Sequence, residues 1–203
     1  MAVRERATAH DDTASGVEAN ARLTGSTAGV LLVLLAVEGI TVLEVSQLLR
    51  LHVFVGMLLV PPVLLKTVST GYRFARYYTG DPPYVRRGPP HLILRVLGPI
   101  VGVLTFAVLA TGIVLLWAPS DWRHTTLFLH KATFVLWFAA MTVHVLGHLV
   151  DTYRLAPRDW TPHRPYVPGA WLRRATLAVT VLAGVGLGLV ALGQVDTWLG
   201  RRA

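Results

Sequence analysis

The sequence contains no cysteine. That excludes disulfides, iron–sulfur clusters, thiolate haem ligands and cysteine nucleophiles together. Charge is scarce as well. Asp, Glu, Lys and Arg make up 15% of the 203 residues, where an ordinary soluble domain carries about 25%. The amino-terminal stretch 1–22, MAVRERATAHDDTASGVEANAR, has no apolar centre of the kind a signal peptide needs. Its mixed polar composition reads as a flexible cytoplasmic tail. What the chain does have is apolar surface: 53% of its residues are hydrophobic and the mean hydropathy is +0.53. This composition points to an all-α integral membrane protein.

Five apolar runs are long enough to cross a bilayer: 25–47, 50–72, 92–117, 124–150 and 171–195. The polar turn 46–50 is too short for anything but antiparallel neighbours. Pro61 and Pro62 interrupt the second span and are expected to kink it. The third span is rich in small residues, Gly98, Gly102, Ala107, Ala110 and Gly112, which permit close helix approach. Its one charge, Arg95, is near enough to the preceding loop to snorkel. Trp117 and Trp122 sit at interfacial depth. Residues 23–150 thus form a four-span core, 151–170 a loop, and 171–203 a fifth span with a short tail.

Lys and Arg set the orientation. The tail, the 73–91 loop and the 151–174 segment together carry twelve arginines, and the opposite side carries Arg50, Arg123, Arg201 and Arg202. The positive-inside rule then places the N-terminus in the cytoplasm and the C-terminus outside. It also accounts for the net charge of +8, so no nucleic-acid partner is expected.

Ionisable groups inside apolar spans are costly and need a reason. The fourth span reads LHKATFVLWFAAMTVHVLGHL over 129–149. His130 and His144 are 14 residues apart, nearly on one helix face and about 21 Å apart along the axis. His148 shares that face. In the second span, His52 lies near the outer surface and Lys66 follows 14 residues later, near the inner one. Counting from the loops puts His52 and His130 at matching outer depth on two helices of the same polarity. Neutral imidazole is a good axial ligand for iron, and a haem b between two helices needs one histidine from each. Arg50 and Lys131 lie at the same level, where a cation would offset a propionate. Gly56, one turn after His52, leaves room for a porphyrin edge.

The inner half leaves alternatives open. His144 is level with Lys66, His148 is one turn deeper, and His91 starts the third span at the same surface. A second haem would need His144 or His148 with Lys66 or His91 as an unusual partner. Lys66 could instead neutralise a propionate or reach the interface, and His144 with His148 at i, i+4 could bind zinc. Glu38, mid-way along the first span, reads either as a proton-relay or cofactor-contact residue or as a hydrogen-bonded structural acid. His10, His124 and His163 fall in polar segments and read as solvated.

The LHV-x-x-G start of the second span, the LHK at 129–131 and the VHVLGHL at 143–149 resemble the membrane haem b four-helix bundle of bacterial cytochrome b561-type proteins. They are similar also to the cytochrome b subunits of respiratory hydrogenases and formate dehydrogenases. The resemblance covers about residues 25–150. It implies that His52 and His130 share one haem. It implies too that His144 would ligate a second haem with a first-span histidine, and the first span has none. Members with five helices are part of that family.

The expected function is therefore that of a b-type cytochrome in the bacterial cytoplasmic membrane. It would pass electrons between a quinone pool and a redox partner subunit, through one haem b and with room for a second. A haem-free membrane anchor or scaffold of a larger complex is the alternative. A small proton-coupled carrier using Glu38 and Lys66 is a third reading. Membrane lipid is the expected surroundings, and the small-residue faces of the third and fifth spans allow a homodimer.

Overall fold

The computed structural model describes residues 2–88, 92–161 and 167–200, with side chains from residue 16 onward apart from 198 and 200. Helices account for almost all of it, and no strand occurs among the described residues. The order is α1 (Ala2–Leu43), α2 (Val45–Tyr78), α3 (Pro82–Arg87), α4 (Leu92–Trp117), α5 (Ser120–Leu155) and α6 (Ala170–Gly200). All but the short α3 are long and apolar enough to cross a membrane. Their outward faces carry large apolar side chains in the open, with Leu43 81%, Val103 70% and Val190 71% exposed. Such faces are costly in water and ordinary in hydrocarbon.

Several boundaries differ from the sequence expectation. The reversal between the first two spans runs from Glu44 to Leu48, the two positions where the backbone leaves helical geometry, and so overlaps the expected 46–50 turn while starting two residues earlier. Helical dihedrals continue through Pro61 and Pro62, so Leu48 is the one break inside α2. The turn before α5 is only Ala118 and Pro119, and α5 begins at Ser120. Pro119 cannot continue α4 but sets up the next helix start.

The stretch read as a tail is helical. α1 extends back through it, and Val17, Ala21 and Arg22 are buried. The packing there is partly electrostatic. Glu18 accepts from Arg22 at 3.1 Å and Arg158 at 2.7 Å, and lies 3.6 Å from Arg87. Arg22 in turn meets Asp159 at 3.4 Å, and Asp159 holds Arg173 through two bonds of 2.6 and 2.8 Å. Arg173 also donates to the backbone carbonyl of Pro168 at 2.7 Å. Charges that read as topology signals thus also tie α1, the 156–169 loop and the start of α6 together. At Asp159 burial pushes the carboxyl up, but the hydrogen bonds and charge of Arg173, with those of Arg22, outweigh it and hold the group below the usual aspartate range.

The spans form a ring. α2 packs on α6 and α1, α1 reaches α5, α5 packs on α4, and α4 closes against α2 and α6. Small residues set the closest approaches, as they do between membrane helices. On α6, a Cβ at Gly184 would fall 2.5 Å from the Leu58 carbonyl oxygen, and one at Gly188 would fall 2.6 Å from the Phe54 ring. Gly186 faces nothing within 4 Å, so of the three glycines only two belong to the seam. Ala191 and Val195 extend it to a cluster with Leu116, Leu49, Val53 and Met57. On the other side, Gly25 sits against Leu155 and Gly29 against Ala156. The diagonal differs: among the described residues no Cα of α2 comes within 8 Å of a Cα of α5.

Candidate functional site

His52 and His130 meet across that diagonal. Their ring centroids are 6.3 Å apart and the planes are inclined by 69°. His52 arises from α2 and His130 from α5, as the matched depths required. Both rings are held from behind at Nδ1. The His52 Nδ1 lies 2.9 Å from Glu38 Oε1 and 3.1 Å from Thr41 Oγ1. Thr41 is fully buried, donates to the Glu38 backbone carbonyl at 2.7 Å and lies 3.2 Å from Glu38 Oε2. The His130 Nδ1 lies 3.1 Å from the Val108 carbonyl oxygen and 3.1 Å from Thr111 Oγ1. Thr111 is linked in turn to Thr133 at 3.3 Å.

These partners set the tautomers. A backbone carbonyl can only accept, so His130 donates from Nδ1 and keeps its lone pair on Nε2. A carboxylate oxygen of Glu38 beside the His52 Nδ1 suits the same tautomer. Neither Nε2 makes a hydrogen bond among the described residues. Metal-binding histidines have this arrangement, with the second ring nitrogen oriented by a carboxylate, a backbone carbonyl or another polar partner.

The spacing suits a shared metal ion. With metal–imidazole bonds of about 2 Å and roughly 1 Å from each ring centre to its nitrogen, rings on opposite sides of one ion have centroids about 6 Å apart. The helix separation suits it too, since directly packed helices approach to about 8–10 Å between axes and α2 and α5 do not pack directly. The residues at the outer level therefore fit a haem held by His52 and His130. One glycine makes space there, Gly112, whereas Gly56 faces the Glu38 carboxylate rather than an open porphyrin edge. A Cβ on Gly112 would fall 2.9 Å from the His130 Cε1, so that position admits the ring only because it lacks one. A Cβ on Gly56 would meet Glu38 Oε1 at 3.6 Å, an ordinary contact beside the His52 clamp.

The chain matches no protein-family model, no curated protein and no solved structure.

The flanking cations are placed differently from one another. Arg50 is ion-paired with Asp196 of α6, with both side chains largely exposed, and Lys131 is exposed on α5. Arg95 donates to the Tyr78 hydroxyl at 2.7 Å. His124 is exposed. His91 and His163 lie outside the described residues, as does the side chain of His10.

Of the expected inner partners, Lys66 is engaged by a backbone carbonyl and His91 lies outside the described residues. His144 and His148 lie 4.7 Å apart, tilted by 56°, one turn apart on the same helix, so they cannot take opposite faces of one iron. No other histidine ring lies against them among the described residues. Lys66 donates its ammonium to the Thr24 carbonyl at 3.1 Å. Among the described residues the His144 Nδ1 is buried without a hydrogen-bond partner, in contrast to the held Nδ1 atoms of the outer pair. Zinc would need a third ligand, and no group of three His, Cys, Asp or Glu residues occurs among the described residues.

Counting along the sequence missed Thr41, Thr111 and Val108. Two are threonines in apolar spans, which pass as helix-packing residues, and the third acts only through its backbone. The sequence offers Glu38 as a cofactor-contact or hydrogen-bonded acid, and its neighbour His52 is not evident from spacing.

Proposed function

We propose that the chain is a membrane-embedded b-type cytochrome that relays single electrons between a quinone pool and a partner redox protein. The bacterial cytoplasmic membrane, with the N-terminus inside, is the setting this reading takes from the arginine distribution. The observation that carries it is the outer pair: two histidines from separate helices, 6.3 Å apart, each with its Nδ1 hydrogen-bonded and its Nε2 available.

A bound haem would supply the one-electron carrier, cycling between ferric and ferrous states. The chain's own residues do the rest. His52 and His130 would hold the haem iron. Glu38 with Thr41, and Val108 with Thr111, keep the two rings in the ligating tautomer. The apolar faces of the ring of helices keep water away from the site, which helps set the potential.

The test is the spectrum of protein purified in detergent. The reading expects reduced-state Soret and α bands and one haem per chain. A chain that takes up no haem during expression or reconstitution would overturn it and leave the anchor reading standing.

A further inference from the structure

Four features of the molecule outside the axial pair bear on what it could do. Among the described residues, no histidine of another helix lies against the inner His144–His148–Lys66 group. The arginine–carboxylate network at the inner end is internally paired and ties elements together. The Gly-rich seam of α6 is already covered by α2. The acid behind His52 is different in kind, because the two candidate axial ligands are supported unequally.

Behind His130 stands a neutral acceptor, the Val108 carbonyl, with the Thr111 hydroxyl. Behind His52 stands a carboxylate at 2.9 Å. The Glu38 side chain is only 16% exposed and the His52 side chain 20%. Thr41 sits at 3.2 Å from one carboxylate oxygen and at 3.1 Å from the imidazole, which restrains their relative orientation. A buried acid in a membrane span is costly and is kept for a purpose.

We infer that Glu38 is a positioning residue that sets the reduction potential of the site through His52; this rests on the cytochrome reading above. A carboxylate accepting the Nδ1 proton draws that proton toward itself. The imidazole then carries more negative character at Nε2 and donates more strongly to a metal. A stronger donor, with a nearby negative charge, favours the more positive, oxidised state of the iron. Little solvent is present to screen that charge. The site is therefore asymmetric: His52 is the electron-rich ligand and His130 the ordinary one. Glu38 lowers the potential relative to a site supported by carbonyls and hydroxyls alone.

The experiment is a redox titration of full-length detergent-solubilised protein with bound haem, run beside its electron paramagnetic resonance spectrum. Glu38→Gln keeps an acceptor oxygen for Nδ1 and removes the charge. It should keep one haem per chain and raise the potential, shifting the reduced-to-oxidised ratio at fixed applied potential at least tenfold, which is about 59 mV for one electron. Glu38→Asp restores the charge and should bring the potential most of the way back. Thr111→Val, which leaves the Val108 carbonyl on His130, should move it much less.

An unchanged potential and resonance spectrum in Glu38→Gln overturns the inference while the cytochrome reading stands. Loss of haem from Glu38→Gln with retention in Glu38→Asp supports it through affinity. Loss from both overturns it, since packing rather than charge would then decide. A native chain that takes up no haem overturns the cytochrome reading and this inference together.

Discussion

The outer and inner halves of α5 carry the same side chain in two very different settings. At the outer level His130 meets a histidine from another helix at 6.3 Å and is held from behind at Nδ1. At the inner level His144 lies against His148 of its own helix, and among the described residues its Nδ1 is buried with no hydrogen-bond partner. Spacing made the three histidines look like members of one row. What separates them is orientation: a ring ready to ligate has one nitrogen committed to a fixed partner and a second ligand opposite it. The lesson is that a histidine's role in a membrane span is written in its neighbours' acceptors as much as in its own depth.

The most severe way to break this comparison is to exchange the histidines. His52→Ala or His130→Ala should abolish haem binding altogether, read from the reduced-state spectrum, whereas His144→Ala and His148→Ala should leave one haem per chain. Haem loss in either inner variant would make the two halves equivalent and undo the distinction.

Gly112→Val sharpens it at the outer level. A Cβ there falls 2.9 Å from the His130 ring, so added bulk should displace the imidazole and weaken haem affinity by tenfold or more in a reconstitution titration. Overpacking of this kind also costs about 1–3 kcal/mol of stability.

A third test lies at the inner end, beyond the histidines. Asp159→Asn should destabilise the bundle by about 1–3 kcal/mol, measured as thermal unfolding in detergent, with the haem spectrum unaltered while the fold persists. The pH dependence has a definite sign. Arg173 and Arg22 hold the Asp159 carboxyl below its usual range. Its contribution is thus fully present at neutral pH and is lost as the pH falls through that lowered value. The wild-type protein should lose stability there, and the Asn variant should lose less.

The smallest effect is expected from Lys66→Met. It removes the donation to the Thr24 carbonyl and should cost about 1 kcal/mol with no change in haem content. A lost or shifted haem band in that variant would bring the inner level back into the site.

Much of the architecture was legible in the chain itself. Length and apolarity marked the five spans, and counting residues from their ends put His52 and His130 at one level, where the structure has them. Other features escaped for physical reasons. The packing around Glu18 includes Arg158, 140 residues away, and no local pattern announces that pairing. Arg50 meets Asp196 across the α2–α6 contact, which spacing within one span cannot show. Thr41 and Thr111 act through orientation, and an apolar span gives no sign of which threonine turns toward a histidine. Glu38 was the readable exception, because an acid at that depth must have a partner.

The tight reversal at Glu44–Leu48 has a consequence for how the molecule is assembled. Thr41 and His52 are only 11 residues apart, so the first helical hairpin already contains one complete half of the outer site. Thr111 and His130 are 19 apart, and the α4–α5 hairpin contains the other half. Each ligand and its orienting partners therefore lie within a stretch of low contact order, the kind that forms early. As the chain emerges from the ribosome N-terminal end first, the His52 half can be finished before α4 has been synthesised. Joining the two hairpins across the diagonal is then the late event in biogenesis. It brings together two half-sites that each carry their own hydrogen-bonding support.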